Sequence, residues 1–189
     1  PMAVVSPCRR GAVREAERCA SLGSVGIGEL FPDGQCLDIA DRSQTWRLVS
    51  VCDECGMFIM FHTAEQAGHQ YPGKGRIGAE KAAAFCLNHP EAKVVFAHFG
   101  GGLWAFEAMP EMRLALSNAF YDTAAMPWLY SHEVLDAIFA IGAGHKLLYG
   151  SDSPILKYPR YEKLLSNTTL TDEEKELLLH KNAERLLQR

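Results

Sequence analysis

The sequence predicts an α/β fold with a parallel sheet, and three features carry that reading. Short apolar runs rich in Val, Ile, Phe and Leu recur along the 189 residues without clean polar alternation, the pattern of strands covered on both faces. Helical stretches separate them one by one, and strict alternation of strand and helix implies parallel strands joined by helical crossovers. Glycines close several of those stretches (Gly23, Gly56, Gly142 and Gly144), as left-handed C-caps require. A doubly wound open sheet and a (β/α)₈ barrel both satisfy these features. A barrel typically takes about 250 residues, so the visible units leave it roughly two short.

Taken in order, strands are expected at "AVVS" (3–6), "VGIGEL" (25–30), "MFIMFHT" (57–63), "KVVFAHFG" (93–100), "AFYDTA" (119–124) and "KLLYGSD" (146–152). Between them the periodicity gives helices over 11–23, 43–56, 78–89, 104–117 and 131–144. In the first helix Val13, Ala16 and Ala20 share one side with Arg and Glu opposite, the spacing of a surface helix. At the C-terminal end, Thr171 followed by Asp172, Glu173 and Glu174 reads as an N-cap with acids in the first turn. Two short helices are expected there, broken near Lys181 and Asn182.

Composition narrows the class. Hydrophobic residues make up 48% and charged residues 22%, values of an ordinary globular domain, and 1–189 is expected to form one domain. The formal net charge of −4 argues against a broad footprint for nucleic acid. No apolar run approaches the ~20 residues of a membrane span, and the first residues lack the pattern of a signal peptide. The six cysteines are scattered, as reduced thiols would be, and a cytoplasmic location is the expectation. Cys52 and Cys55 form a C-x-x-C late in a helix, away from the helix start where a redox thiolate is activated.

The C-terminal ends of the expected strands carry polar residues: Glu29, His62, His98, Asp122 and Asp152. In a parallel α/β fold those ends share one face, where the following loops build the site. Two imidazoles and a carboxylate converging there suit a divalent cation such as Zn²⁺, Mn²⁺ or Fe²⁺. Singly, each has an ordinary structural reading. A strand-end His is commonly a hydrogen-bonded core group, while Glu29 and Asp122 fit helix caps or partners of an Arg. His62, His98 and Asp152 stand at the same point of successive units, which favours joint ligation.

The segments "FHTAEQAGHQYPGKG", "VVFAHFGGGLWAFE", "AFYDTAAMPWLY", "LLYGSDSP" and "NAERLL" resemble the amidohydrolase-related proteins. These are metal-dependent TIM-barrel hydrolases grouped with aminocarboxymuconate-semialdehyde decarboxylase. The resemblance runs over essentially the whole chain from residue 2. It implies a (β/α) TIM-barrel fold that is incomplete, the visible strands being the third to the eighth of eight. It also implies a divalent metal ion, zinc foremost, held by His62, His98 and Asp152, with His98 and Asp152 catalytic. The implied activity is attack of an activated water on a small-molecule ester, amide or lactone. Decarboxylation in the same site is the alternative. The family's first strand carries an H-x-H pair of ligands, and no H-x-H occurs in this sequence. A non-catalytic scaffold therefore stands as a second reading. An open sheet edge and exposed core lead to the expectation of a homo-oligomer.

The loop 65–76 is rich in Gly, and loops at this face carry specificity, so His69, Tyr71 and Lys74 are expected to contact substrate. Trp104 and Trp128 are candidates for the pocket wall or for packing. "GHQYPGK" (68–74) fits G-x-x-x-x-G-K, but Gly75 stands where Ser or Thr should hold Mg²⁺. A phosphate loop also leaves its strand directly, and this stretch does not.

Overall fold

The computed structural model describes residues 1–188. Six strands, each parallel to its neighbours, follow in simple order as one sheet. In chain order the elements are β1 (Met2–Ala3), α1 (Ala12–Ser21), β2 (Gly26–Leu30), α2 (Pro32–Gln35), α3 (Arg42–Glu54), β3 (Phe58–Phe61), α4 (Ala79–Asn88) and β4 (Val94–Phe96). A 3₁₀ segment (His98–Ala108) leads to α5 (Pro110–Ala115), β5 (Ala119–Asp122), α6 (Met126–Leu129) and α7 (Glu133–Ala140). Then come β6 (Leu147–Leu148), α8 (Tyr158–Leu165), α9 (Asp172–Glu176) and α10 (Asn182–Leu187). Sequential parallel order with a helical crossover at each step is the topology of a (β/α) barrel, here with six strands. Among the described residues β1 and β6 do not pair with each other, so the wall is open between them.

Register divides the side chains between two faces. Ile59, Val94 and Ala119 stand level, as do Met60, Val95 and Phe120, and then Phe61, Phe96 and Tyr121. Alternation along each strand puts Ile59, Phe61, Val94, Phe96 and Tyr121 under the helices, in the main core. Phe61, Phe85 and Phe96 pack ring to ring there with centroids 5.0 to 6.3 Å apart. Each such buried ring stabilises the fold by about 1.5–3 kcal/mol relative to an exposed one. Phe58, Val95 and Leu148 face the barrel interior with Leu186 and form a second, smaller cluster. Gly26 belongs to this inner face: a Cβ there would lie 2.8 Å from the Phe58 ring.

All six expected strands are present, and the outermost are shorter than their apolar runs, β1 and β6 each having two residues. The expected helix over 104–117 is broken at Met109, which is extended. Pro110 disfavours a helical conformation in the residue before it and cannot donate to the preceding turn. Gly23, Gly56 and Gly142 do take left-handed backbones. Gly144 instead lies in a 3₁₀ turn, where a Cβ would stand 2.3 Å from the Phe139 ring, so it is small because of a close approach. The C-terminal stretch differs too. Thr171 caps α9 with a full capping box to Glu174, but no break follows: residues Leu177–Lys181 widen into a π turn and continue into α10. Helix α8, with Pro159 in its first turn, is an element the periodicity did not show.

The cysteines are all free thiols among the described residues. Burial pushes the Cys52 thiol up to about 12, which leaves it inert as a nucleophile. Among the described residues no helix is long and apolar enough to cross a membrane.

Candidate active site

Three strand ends deliver the central group. Pairing between β2 and β3 shifts register between Ile27 and Leu30, and such an irregularity re-aims the residue it contains, here Glu29. His62 follows β3, its backbone N–H still bonded to Leu30 O at 2.8 Å. His98 follows β4 at the start of the 3₁₀ segment. Ligand atoms of Glu29, His62 and His98 lie within 4.8 Å of one another. Glu29 Oε1 is 2.8 Å from His62 Nδ1 and 3.8 Å from His98 Nε2. The two imidazoles meet edge to face with centroids 4.8 Å apart.

The backbone around His98 is unusual. His98 and Phe99 have φ of 55° and 56°, and Gly100, Gly101 and Gly102 continue at 67°, 59° and 95°. A left-handed backbone costs a side-chain-bearing residue roughly 1–2 kcal/mol. Glycine removes that cost over the rest of the turn. At Gly101 close approach adds to the requirement, since a Cβ would lie 2.7 Å from Ala64 O in the loop after β3. Two consecutive strained non-glycine residues persist where their surroundings over-determine them.

Asp122 supplies that restraint. Its Oδ1 accepts the backbone N–H of His98 at 2.8 Å and that of Ala124 at 2.9 Å. His98 Nδ1 lies 3.0 Å from Ala124 O; a carbonyl can only accept, so in a neutral, ligating ring Nδ1 carries the proton and Nε2 offers its lone pair. Burial pushes the Asp122 carboxyl up to about 6, against the opposing influences of His98 and the two N–H donors. Burial also works to raise Glu29, but the hydrogen bond and charge of His62, then His98, hold it below the ordinary carboxylate value. Thr63 hydroxyl donates to Ala97 O, tying the two loops together beneath the histidines.

The donor set fits a divalent ion. His62 Nε2 is buried without a hydrogen-bond partner, an orphan of the kind a ligand explains. With the free lone pair of His98 Nε2 and the Glu29 carboxylate, it makes the nitrogen and oxygen set favoured by zinc, manganese and iron.

Glu29, His62, His98 and Asp152 line one cavity of about 360 Å³. Asp152 stands in its wall, outside the three-residue group, with a left-handed backbone (φ 59°). Its carbonyl accepts from Ile155 N at 2.9 Å and so starts the turn after β6. His69 and Tyr71, expected from sequence to contact substrate, also line the cavity, as does Trp128. Lys74 does not: its ammonium donates to Ala67 O at 2.6 Å and His69 O at 3.0 Å. Those bonds make it a brace of the loop, which is pinned further where Asp33 accepts from Arg76 N at 2.6 Å and Nε at 2.8 Å. The stretch 68–74 is not a phosphate loop, since α4 opens only at Ala79. Trp104 packs against the core. Among the described residues no Lys or Arg lines the cavity.

A family model described as amidohydrolase matches residues 1–189. The chain belongs to the amidohydrolase family. Members of this family use a divalent metal ion, and Glu29, His62 and His98 are a group able to hold one. Among solved structures, 5-carboxyvanillate decarboxylase from Sphingomonas paucimobilis is similar at TM-score 0.76 and 15% identity, over 98% of this chain and 65% of its own. A dihydroxybenzoic acid decarboxylase from Polaromonas sp. JS666, with bound manganese and an inhibitor, is similar at TM-score 0.69 and 16% identity, over 93% and 64%. 4-Oxalomesaconate hydratase from Rhodopseudomonas palustris is similar at TM-score 0.67 and 20% identity, over 98% and 64%. At these identities the likeness establishes the fold. The amidohydrolase chain spans about 65% of the length of the first of these neighbours. Comparison with curated proteins finds no match.

Glu29 is the site residue that sequence reasoning set aside. Its position at a strand end was the available signal, but the register shift that turns it toward His62 leaves no mark in the residue pattern.

Proposed function

We propose that Glu29, His62 and His98 hold a divalent metal ion, zinc by preference, in a hydrolase acting on a small ester, amide or lactone. The observation that carries this reading is the convergence of a buried unpartnered imidazole nitrogen, a second imidazole with a fixed lone pair, and a carboxylate at one cavity. A divalent ion there supplies Lewis-acid polarisation and activates water. The chain's own groups do the rest. Asp152, in the same wall, accepts the proton of the attacking water and passes it to the leaving group. Asp122 fixes the His98 main chain, and the Ala124 carbonyl opposite Nδ1 selects the tautomer in which the imidazole enters. Tyr71 and Trp128 flank the substrate, and Leu129 and Ile155 exclude water from the reacting carbon.

Those flat aromatic walls also favour a second reading, decarboxylation of an aromatic or conjugated acid. With no Lys or Arg among the described residues of the lining, the carboxylate of such an acid would have the metal as its cationic partner. The fold neighbours bear names of both decarboxylases and a hydratase, and so do not choose between the reactions.

Elemental analysis of the purified chain tests the reading directly. About one zinc or manganese per chain, lost in His62→Ala, is expected. Assays of metal-loaded chain against aryl esters, lactones and hydroxybenzoates, read as acid release or carbon dioxide release, then assign the reaction. Absence of metal after loading would leave the scaffold reading.

A further inference from the structure

A second cavity, of about 400 Å³, lies between the start of α1 and the start of α3. Both follow strand C-terminal ends, so it opens on the same face of the sheet as the catalytic cavity, with a different set of residues. Arg9, Arg10 and Arg47 line it, and no Asp or Glu does. In a chain of net charge −4 such a grouping is locally opposite in sign to the whole. None of the three guanidinium groups has a salt bridge or side-chain hydrogen bond among the described residues. Two of the nearest acids are committed elsewhere. Glu15 pairs with Arg18 at 2.7 Å, and Asp41 takes the Ser43 backbone N–H and hydroxyl and the Gln44 amide.

Arg47 is held in place by its neighbour: its guanidinium carbon lies 5.3 Å from the Trp46 ring centroid. The cation is attracted to the indole, and the Arg47 N–H groups, which make no side-chain hydrogen bond among the described residues, are free for the bidentate contacts by which a guanidinium recognises phosphate and carboxylate. Gly11, at the N-cap of α1, offers no side chain to the first-turn amides and lines the same cavity.

We propose that this cavity is a binding site for a small molecule carrying a dianionic oxyanion group, gripped by Arg9, Arg10 and Arg47. Three cations around one space match a phosphate, which carries about −1.5 to −2 at neutral pH, better than a single carboxylate. Because the guanidinium groups are exposed, binding weakens as salt is raised. The site is independent of the metal centre and keeps its ligand whether or not that centre is active.

The test is a calorimetric titration of the chain with pyrophosphate, inorganic phosphate and citrate at low ionic strength, with chloride as control. Saturable binding is expected in the wild type and in His62→Ala, weakened tenfold or more when Arg9, Arg10 and Arg47 are all replaced by Ala. Stronger binding of pyrophosphate than citrate assigns a phosphoryl ligand; the reverse assigns a polycarboxylate. Cys8 is exposed and lines the cavity, so in a Cys36→Ser background the bound anion should slow its alkylation. Equal binding by the triple variant, or a response no larger than that to chloride, would overturn the proposal.

Discussion

Glu29 Oε1 and His62 Nδ1 are in hydrogen-bond contact at 2.8 Å. Two tetrahedral ligands of one zinc ion sit about 3.4 Å apart, so these two groups share a proton in this geometry. Either they part when an ion binds, with Glu29 as a ligand, or Glu29 stays on Nδ1 and orients His62 for ligation through the buried Nε2. Removing Glu29 weakens metal binding in both cases: outright as a ligand, and by about 10–100-fold as an orienting partner. Asp152 stands outside the close group, so Asp152→Ala is expected to keep its metal and lose turnover. Metal content and activity of Glu29→Ala and Asp152→Ala, measured side by side, decide this. Metal lost only from the Asp152 variant would return Asp152 to the ligands and demote Glu29.

Gly101 controls where His98 stands. Its φ of 59° penalises any side chain, and a Cβ would press on Ala64 O at 2.7 Å. Gly101→Ala is expected to cost about 2 kcal/mol or more, the left-handed backbone and the forced shift adding together. Ala64 lies in the loop just after His62, so the shift also separates the two histidines and lowers metal affinity. Gly102→Ala is the control. Its φ is 95° but nothing lies within 4 Å of the added Cβ, so it carries only the backbone cost. Equal melting temperatures for the two variants would remove the close-approach argument.

The strands and both histidines were legible because they depend on local chemistry. Val94, Val95 and Phe96 can only be a short buried strand, and the imidazole two residues on must then sit at the sheet's edge. Asp152, expected from the same pattern as a metal ligand, stands in the cavity wall outside the group of Glu29, His62 and His98. Glu29 was not legible, because its direction depends on the register of β2 against β3, a relationship between segments that no single stretch encodes. Lys74, a cation in a Gly-rich loop, reads from sequence as a substrate contact; in the fold two of the loop's own carbonyls hold its ammonium, an arrangement that depends on how the loop closes. The apolar periodicity over 104–117 outweighed Pro110 in the reading, whereas in the fold the missing N–H prevails.

His89 gives the fold a pH dependence remote from the site. It is buried between α3 and α4, 2.7 Å from Thr45 Oγ1 and packed on Phe85 at 5.0 Å. Burial lowers its pKa from the ordinary 6.5, with Glu91 opposing and Arg42 assisting. The folded state therefore resists a proton that the unfolded chain accepts. Its contribution is complete above about 6.5 and is lost as pH falls below that value. In His89→Phe the ring packing is retained, and Thr45 Oγ1 keeps its contacts to Asp41 O and Arg42 O at 3.2 and 3.3 Å. That variant should lose about 1 kcal/mol at neutral pH and show a flatter stability curve from pH 7 to 5 in denaturant titrations. Parallel curves for the two proteins would assign the acid sensitivity elsewhere.

The open wall between β1 and β6 makes the last prediction. Phe58, Val95, Leu148 and Leu186 border a cavity of about 440 Å³ on the inner face, with Met2 and Leu187 partly exposed at its rim. An apolar face beside two strand edges that have no partner among the described residues is a template for association with another chain. The chain is therefore expected to form homo-oligomers in a concentration-dependent way. Sedimentation velocity over a concentration series reads this directly, and Met2→Lys with Leu187→Lys should shift the distribution toward monomer by placing charge at the rim without touching the metal group. A monomer at every concentration, with the paired variant indistinguishable from wild type, would mean that the inner face is tolerated in water as it stands.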